Sequence, residues 1–390
     1  MITVSSAENV LKEVYLGVIA DQINTKTNPL FARIKKSTRN IVGKEVRVAA
    51  PIGVDGGFKA GTETDTLPAA KERPFISFVA PLKNLYGRFE ISDKAVRCSA
   101  SDVGSFVNLI QDGMESLLTA CKFNLARMIY GDGSGLVCRM RVVNNQKMYL
   151  DRPDSVLPGM VVDIYDPTGN GHISNAQVAS VDKSTGEVTF DYDFTGVLPD
   201  NNSRVYIASS MNKEIVGLKG IVENSTLYGV SKASYPILNS KVYTGTNSTA
   251  FDEDYVQGII DDLETDGTEV NFINCSYQLK RLYQRYLTLY KKNIAYTTLE
   301  NGMKVLTHFG IPIVPTMHLK SDEAYFLNTD DFTFYQLGDW RWLEDESGRI
   351  LKQSATQPTY AATLVKYTEL LCQKPNGVGY CSNIPTSVIS

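Results

Sequence analysis

No run of this chain approaches the ~18 consecutive apolar residues that a membrane-spanning helix needs. The opening residues, Met1 to Glu8, lack the basic-then-apolar order of a secretory signal. No membrane contact is therefore expected. Histidine is scarce: His172, His308 and His318 fall in separate elements, none with a carboxylate or cysteine at metal-ligand spacing. The cysteines, Cys98, Cys121, Cys138, Cys275, Cys372 and Cys381, form no CxxC pair and read as reduced thiols of a protein made in the cytoplasm. Basic charge is not in excess. The 39 Lys and Arg against 43 Asp and Glu leave a net charge of -4, so any contact with nucleic acid must come from a local patch. There is no GxSxG elbow and no catalytic-cysteine signature. The run Gly131-Asp132-Gly133-Ser134-Gly135 follows a helical pattern, whereas phosphate-cradling loops precede one, so it reads as a turn. Asp252, Glu253, Asp254, Asp261, Asp262 and Glu264 lack the alternating spacing and central glycine of a calcium loop and read as a solvated helix face. No catalytic residue, cofactor or metal site is assigned, and an enzyme is not expected.

What is present is pattern. The 390 residues are 43% hydrophobic, enough for two or three domains with cores of their own. Between Ser99 and Gly135 apolar residues recur in steps of three and four, at Val103, Phe106, Val107, Ile110, Met114, Leu117, Leu118, Cys121, Leu125, Met128 and Ile129. That spacing predicts one long helix with a single apolar stripe, a spine for other elements. Ser99 with Asp102 forms its N-terminal capping box, and the glycines after Ile129 stop it.

Ahead of the spine, Val10–Ile23 has helical spacing. An irregular basic arm, Asn24–Gly43, carries Arg33, Lys35, Lys36 and Arg39 with no acidic residue among them. It reads equally as a solvated face or as an arm that contacts a neighbouring subunit or nucleic acid. A hairpin follows, outgoing from Val46 and returning from Phe75 through Ile91. Its tip, Pro51–Pro74, is polar, rich in glycine and threonine, and carries Lys59, Glu63, Asp65, Lys71 and Arg73. So long a loop with so little apolar content is expected to become ordered on another chain. After the spine, strands at Met160–Tyr165, Ala176–Val181, Glu187–Tyr192 and Arg204–Ala208 predict a small β-barrel over 142–210. The last third alternates helices and strands, with a helix capped by Asp252, another over Ser276–Leu289, and closing strands at Leu364–Leu371 and Val378–Ser382.

The order of these parts resembles that of the major capsid proteins of tailed bacteriophages, the Hong Kong 97 fold family. The resemblance rests on the hairpin Val46–Ile91, the helix Ser99–Ile129, the α/β segment Asp252–Leu371, and the phrases Ile91-Ser92-Asp93-Lys94-Ala95 and Ile129-Tyr130-Gly131-Asp132-Gly133. It implies an α+β fold with five parts. These are an N-terminal arm (1–45), an extended hairpin loop (46–91), a peripheral domain (92–141 and 211–250) to which part of the C-terminus can return, an inserted β-barrel (142–210) and an axial domain with the C-terminal strands (251–390). It implies a virion capsid protein that assembles in the bacterial host cytoplasm into hexamers and pentamers of an icosahedral shell around double-stranded DNA. Its partners would be copies of itself, a portal, and DNA held by non-specific contact. The short stretch before the hairpin leaves no room for a long scaffold segment, so a separate scaffolding protein and a retained N-terminus are expected. Two readings stay open beside it: an encapsulin-like compartment, and a glycan- or protein-binding module built on the barrel's Tyr149, Tyr165, Tyr192 and Tyr206.

Overall fold

The computed structural model describes residues 28–53, 57–69, 72–94, 103–143, 147–169, 172–194, 199–290, 295–299, 302–346, 348–354 and 356–386, and for 103–112 and 143 the backbone alone. The expected helix at Val10–Ile23, the capping pair Ser99 and Asp102, Lys71 and Cys98 lie outside these residues.

The spine is a helix of 27 residues, Val103–Ile129, about 40 Å long at 1.5 Å per residue. Met114, Leu117, Leu118, Leu125 and Ile129 on its described half are buried. They pack on the strand Lys83–Ser92, whose Leu85, Phe89 and Ile91 alternate inward. Gly87 lets helix and strand approach closely, because a Cβ there would lie 2.8 Å from Cys121 Sγ and 2.9 Å from a Leu117 methyl. Past the helix end the chain turns through Gly133 and Gly135, both at positive φ. The returning chain crosses the same end at Gly217, where a Cβ would stand 2.4 Å from the carbonyl oxygens of Met128 and Ile129.

The long strand Thr359–Cys372 organises a six-stranded sheet. Lys83–Ser92 runs antiparallel along it from Thr368↔Lys83 to Thr359↔Ser92. Phe332–Gln336, Arg341–Trp342 and Lys352–Gln353 also pair with it. Lys35–Ser37 adds a parallel edge against Phe332–Gln336. One expected boundary changes here. The hairpin ladder joins Glu45–Pro51 to Phe75–Pro81 alone, and Lys83–Ser92 is not its continuation but a member of this sheet. The alternation of the two segments is continuous in sequence; only the partner differs, and the partner lies near the C-terminus. Thr359–Cys372 is a part of the C-terminus that returns to the strand beneath the spine.

Six strands form a closed antiparallel barrel: Leu136–Val143, Lys147–Leu150, Val161–Tyr165, His172–Val181, Glu187–Asp191 and Ser203–Ile207. Val137, Met140, Val162, Ile164, Val178, Val188 and Val205 fill it. The expected start at 142 falls inside a strand. Met140 pairs with both Leu150 and Ser203, so the segment from Leu136 is what closes the barrel.

A seven-stranded mixed sheet runs, edge to edge, Lys241–Thr244, Gly379–Ser382, Ala324–Leu327, Phe272–Ser276, Ile311–Thr316, Lys304–His308, Tyr296–Thr298. Lys241–Thr244 therefore belongs with the C-terminal third rather than with 211–250, because it pairs in parallel with Gly379–Ser382. Alternate residues serve two cores. Ile273, Leu306, Ile313 and Phe326 face the helices Glu253–Thr265 and Tyr277–Tyr290. Phe272, Val305, Val314 and Tyr325 face the rest of the subunit.

One buried carboxyl lies under the spine's end. Glu369, on the long strand, accepts hydrogen bonds from the backbone N–H of Val216 (2.8 Å) and of Leu370 (3.1 Å) through Oε1. Its Oε2 is buried with no partner among the described residues. Burial pushes its pKa up to about 8. The native state thus keeps a proton that the unfolded chain releases above the ordinary glutamate range, and this group lowers stability as pH rises toward 8. Glu369→Gln, which mimics the protonated form, is expected to raise the melting temperature at pH 8 and leave it nearly unchanged at pH 5. Gly217→Ala is expected to cost several kcal/mol, since backbone on both sides blocks the new methyl; soluble yield and thermal melting read it.

Candidate assembly surface

The hairpin begins as an ordinary half-buried ribbon. Val46, Val48, Ala50, Ile76, Phe78 and Ala80 face inward and the residues between them outward. Its inner face is closed by a second, smaller hairpin, in which Leu227 pairs with Val230 around Tyr228 and Gly229. Tyr228 holds φ +49°, a conformation that few aromatic residues adopt. From there its carbonyl accepts the Val79 N–H at 2.9 Å, and its ring meets Phe78 edge-on at 5.4 Å. Its hydroxyl donates to the Leu370 carbonyl (3.0 Å) and accepts from the Cys372 N–H (3.1 Å). One side chain thus ties the hairpin base to the end of the long strand. Nothing in the sequence singled it out, because its strain and partners are tertiary; the Tyr228-Gly229 turn was the only local trace.

Beyond Ile52, whose N–H bonds the Pro74 carbonyl, the described tip residues leave the body. Asp65 folds one turn by accepting the Thr62 N–H at 3.1 Å, and Lys59 lies 4.0 Å from Asp65 and 3.4 Å from the Thr66 carbonyl. Glu63 and Arg73 are exposed. Lys59, Glu63 and Asp65 therefore share one short turn, Arg73 sits at the hairpin neck, and Lys71 lies outside the described residues. Phe58 and Leu67, which the polar character of the tip obscured, are 94% and 91% exposed. Large apolar side chains left so open on an arm with no core are suited to burial against another surface.

The basic arm is less free than its sequence implied. Arg33 donates to the Asn271 carbonyl at 3.2 Å and lies over the Phe272 ring. Lys35 pairs with Asp330 at 2.9 Å, and the Lys36 ammonium stands 4.9 Å from the Phe31 ring centroid. Pairing of Lys35–Ser37 with Phe332–Gln336 brings Lys35 to Asp330, and Arg33 meets residues 271 and 272, while the Phe31 ring beside Lys36 is local. Arg39 is exposed at the turn that follows.

The described histidines His308 and His318 take structural places. His308 shares hydrogen bonds with the Tyr283 hydroxyl and Gln257, both at 2.8 Å. His318 stacks on Tyr130, and burial, with Arg152 and Arg127 nearby, pushes its pKa down to about 3. Among the described residues no group of three or more His, Cys, Asp or Glu is placed to hold a metal ion. In the barrel Tyr206 is buried, Tyr165 stacks on His172 at 4.4 Å, and Tyr192 is exposed.

No family model matches the chain, and no curated protein sequence matches it. Solved structures do. The capsid asymmetric unit of cyanophage A-1(L) aligns over 90% of both chains with a TM-score of 0.55 at 13% identity. The chain has the fold of a tailed-phage capsid protein. The SrpI encapsulin of Synechococcus elongatus aligns over 100% of this chain and 98% of its own, with a TM-score of 0.50 at 9% identity. At these identities what is shared is the fold. In this fold Tyr228 ties the hairpin base to the long strand. Tyr228→Phe is expected to cost about 1–2 kcal/mol and to speed amide exchange in Phe75–Pro81 while leaving the barrel strands unchanged.

Proposed function

We propose that this chain is the major capsid protein of a tailed bacteriophage. Copies assemble as hexamers and pentamers into an icosahedral shell that encloses double-stranded DNA. The observation that carries the reading is the hairpin tip: Phe58 and Leu67 stand in solvent at the end of a ribbon whose base is locked to its own subunit. In a lone subunit those side chains serve no purpose, whereas in a shell they have a neighbour's surface to cover. The architecture follows the same plan, with an arm, an extended hairpin, a peripheral domain on the spine, an axial domain, and the barrel as an insertion between spine and host. The tip charges Lys59, Glu63, Asp65, Lys71 and Arg73 would make the polar rim of the contact, where charge sets register more than affinity. Of the arm cations, Arg39 is the one best placed to meet a neighbour or DNA, since Arg33 and Lys35 are engaged within the subunit. A separate scaffolding protein and a portal complete the partners, and assembly takes place in the host cytoplasm. No catalytic step is assigned.

An encapsulin-like compartment is the second reading, favoured by the full-length alignment with SrpI. Electron microscopy of the purified protein is expected to show closed shells, and particles recovered from infected cells are expected to hold nuclease-protected DNA. Shells that hold protein cargo and no DNA would favour the compartment; absence of shells under all assembly conditions would overturn both. The double variant Phe58→Ser, Leu67→Ser is expected to melt like wild type and to lose at least tenfold in shell yield.

A further inference from the structure

The helix Tyr277–Tyr290 carries two apolar stripes. Leu279, Tyr283 and Leu287 are buried against the seven-stranded sheet. Leu282, Tyr286, Leu289 and Tyr290 recur in steps of one, three and four on the adjoining side. There Leu289 and Tyr290 stay 71% and 74% exposed. This second stripe is one wall of a groove of about 410 Å³. Thr249, Ala250 and Phe251 also line it. Phe251 is buried and meets the Tyr283 ring edge-on at 6.1 Å, so that side of the groove is fixed to the core.

The end of the chain is delivered to this groove. Gly379–Ser382 is an inner strand of the sheet, and Ile384 is buried in the same core as Phe251. The segment passes so close to Gly245 that a Cβ there would lie 2.7 Å from the Asn383 carbonyl oxygen and 3.1 Å from Ile384 Cα. Pro385 then lines the groove itself, and Thr386 is the last described residue. Next in sequence come Ser387, Val388, Ile389 and Ser390: no charge, and two β-branched apolar side chains side by side.

We propose that Ser387–Ser390 lies in this groove as an extended strap, with Val388 and Ile389 covering the second apolar stripe of their own subunit. The lengths agree. The stripe from Leu282 to Tyr290 runs about 12 Å at 1.5 Å per residue, and an extended chain covers up to about 14 Å over the four steps from Pro385 to Ile389. Successive side chains of an extended segment point to opposite sides. One of the two apolar side chains therefore meets the helix and the other the wall at Phe251. Tethering at Pro385 gives the segment a high effective concentration at the groove, which favours it over any occupant from another molecule. The contact lies within one chain and needs no neighbouring copy, so it stands or falls apart from the shell reading.

Paired cysteines in the full chain decide it. Leu289→Cys is combined with Val388→Cys in one variant and with Ile389→Cys in a second. The control joins Val388→Cys to Tyr277→Cys, at the far end of the helix and 53% exposed. Melting under reducing conditions is expected to match wild type in all three. After mild oxidation of dilute protein, peptide mass spectrometry is expected to show a disulfide within one chain in at least one test pair, at ten times the control yield or more. Adding a charge beside the linked position, Ile389→Asp in the first pair, is expected to cut that yield at least fivefold, because a carboxylate does not enter an apolar groove. Yields no higher than the control in both pairs, or a yield indifferent to Ile389→Asp, would overturn the strap. So would disulfides that join only labelled to unlabelled chains in an isotope-mixed sample, an outcome that assigns the groove to a second copy.

Discussion

The strand Thr359–Cys372 is the common partner on which the subunit depends. It pairs along ten residues with Lys83–Ser92 under the spine, receives Phe332–Gln336 and two shorter strands, and ends where Tyr228 ties down the hairpin. Elements from the beginning, middle and end of the chain meet on it. Its register is held by polar groups as well as apolar ones. Lys366 is buried, bonded to Asp339 at 2.8 Å beside the Trp340 ring. Thr368 donates to the Tyr335 carbonyl at 3.0 Å. Sliding the strand by one residue would turn these groups to the opposite face and strand a buried ammonium, at a cost of several kcal/mol.

The spine depends on that sheet rather than the reverse. A helix of this length is not stable by propensity alone in water, and its apolar stripe needs a surface. The sheet provides one through Leu85, Phe89 and Ile91, and Gly87 sets the spacing. At its far end the close crossing at Gly217 and the buried pair of Arg127 with Glu214 hold the returning chain. Val216 in that same segment is bonded to Glu369. The barrel leaves and re-enters the fold here, and Arg152 bonds the His318 carbonyl of the seven-stranded unit. The barrel is therefore fixed to the body by more than its two chain connections, and removing it would take that partner from the His318 carbonyl.

Rigid base and open extremity are the physical theme of the surface. The hairpin is immobilised through Tyr228 yet ends in Phe58 and Leu67. The seven-stranded sheet is packed on both faces yet leaves Phe309 exposed at the turn after Lys304–His308. Rigid supports lower the entropy lost on association, because the contacting groups need not be ordered at the moment of binding. The same logic explains why the tip's charges matter less to its reading than its two apolar residues: exposed ion pairs contribute about 0–1 kcal/mol each, and burial of a Phe or Leu side chain about 1.5–3 kcal/mol.

Local pattern alone determined much of this protein. The period of three to four across Met114, Leu117, Leu118, Leu125 and Ile129 is sufficient for a helix, and glycines are sufficient to stop it. Alternation with turn residues is sufficient for four of the six barrel strands and for the hairpin arms, and misses Leu136–Val143 and Lys147–Leu150. Asp252 as a helix cap, bonded to the Tyr255 N–H at 2.9 Å, was equally plain. These signals lie within one element, where spacing and chemistry are read directly. Pairing was not so readable. Lys83–Ser92 alternates like the hairpin arm before it, and no residue in it says that its partner is Thr359–Cys372. Lys241–Thr244 and Leu136–Val143 likewise pair with segments that their own sequence does not name. The arm's cations look unanswered in sequence because Asp330 and the Asn271 carbonyl come from connecting residues far along the chain. Tyr228, Glu369 and Gly217 carry weight only through what stands beside them. Which segments meet is settled by the cooperative burial of surfaces distant in sequence, and that is a property of the tertiary fold alone.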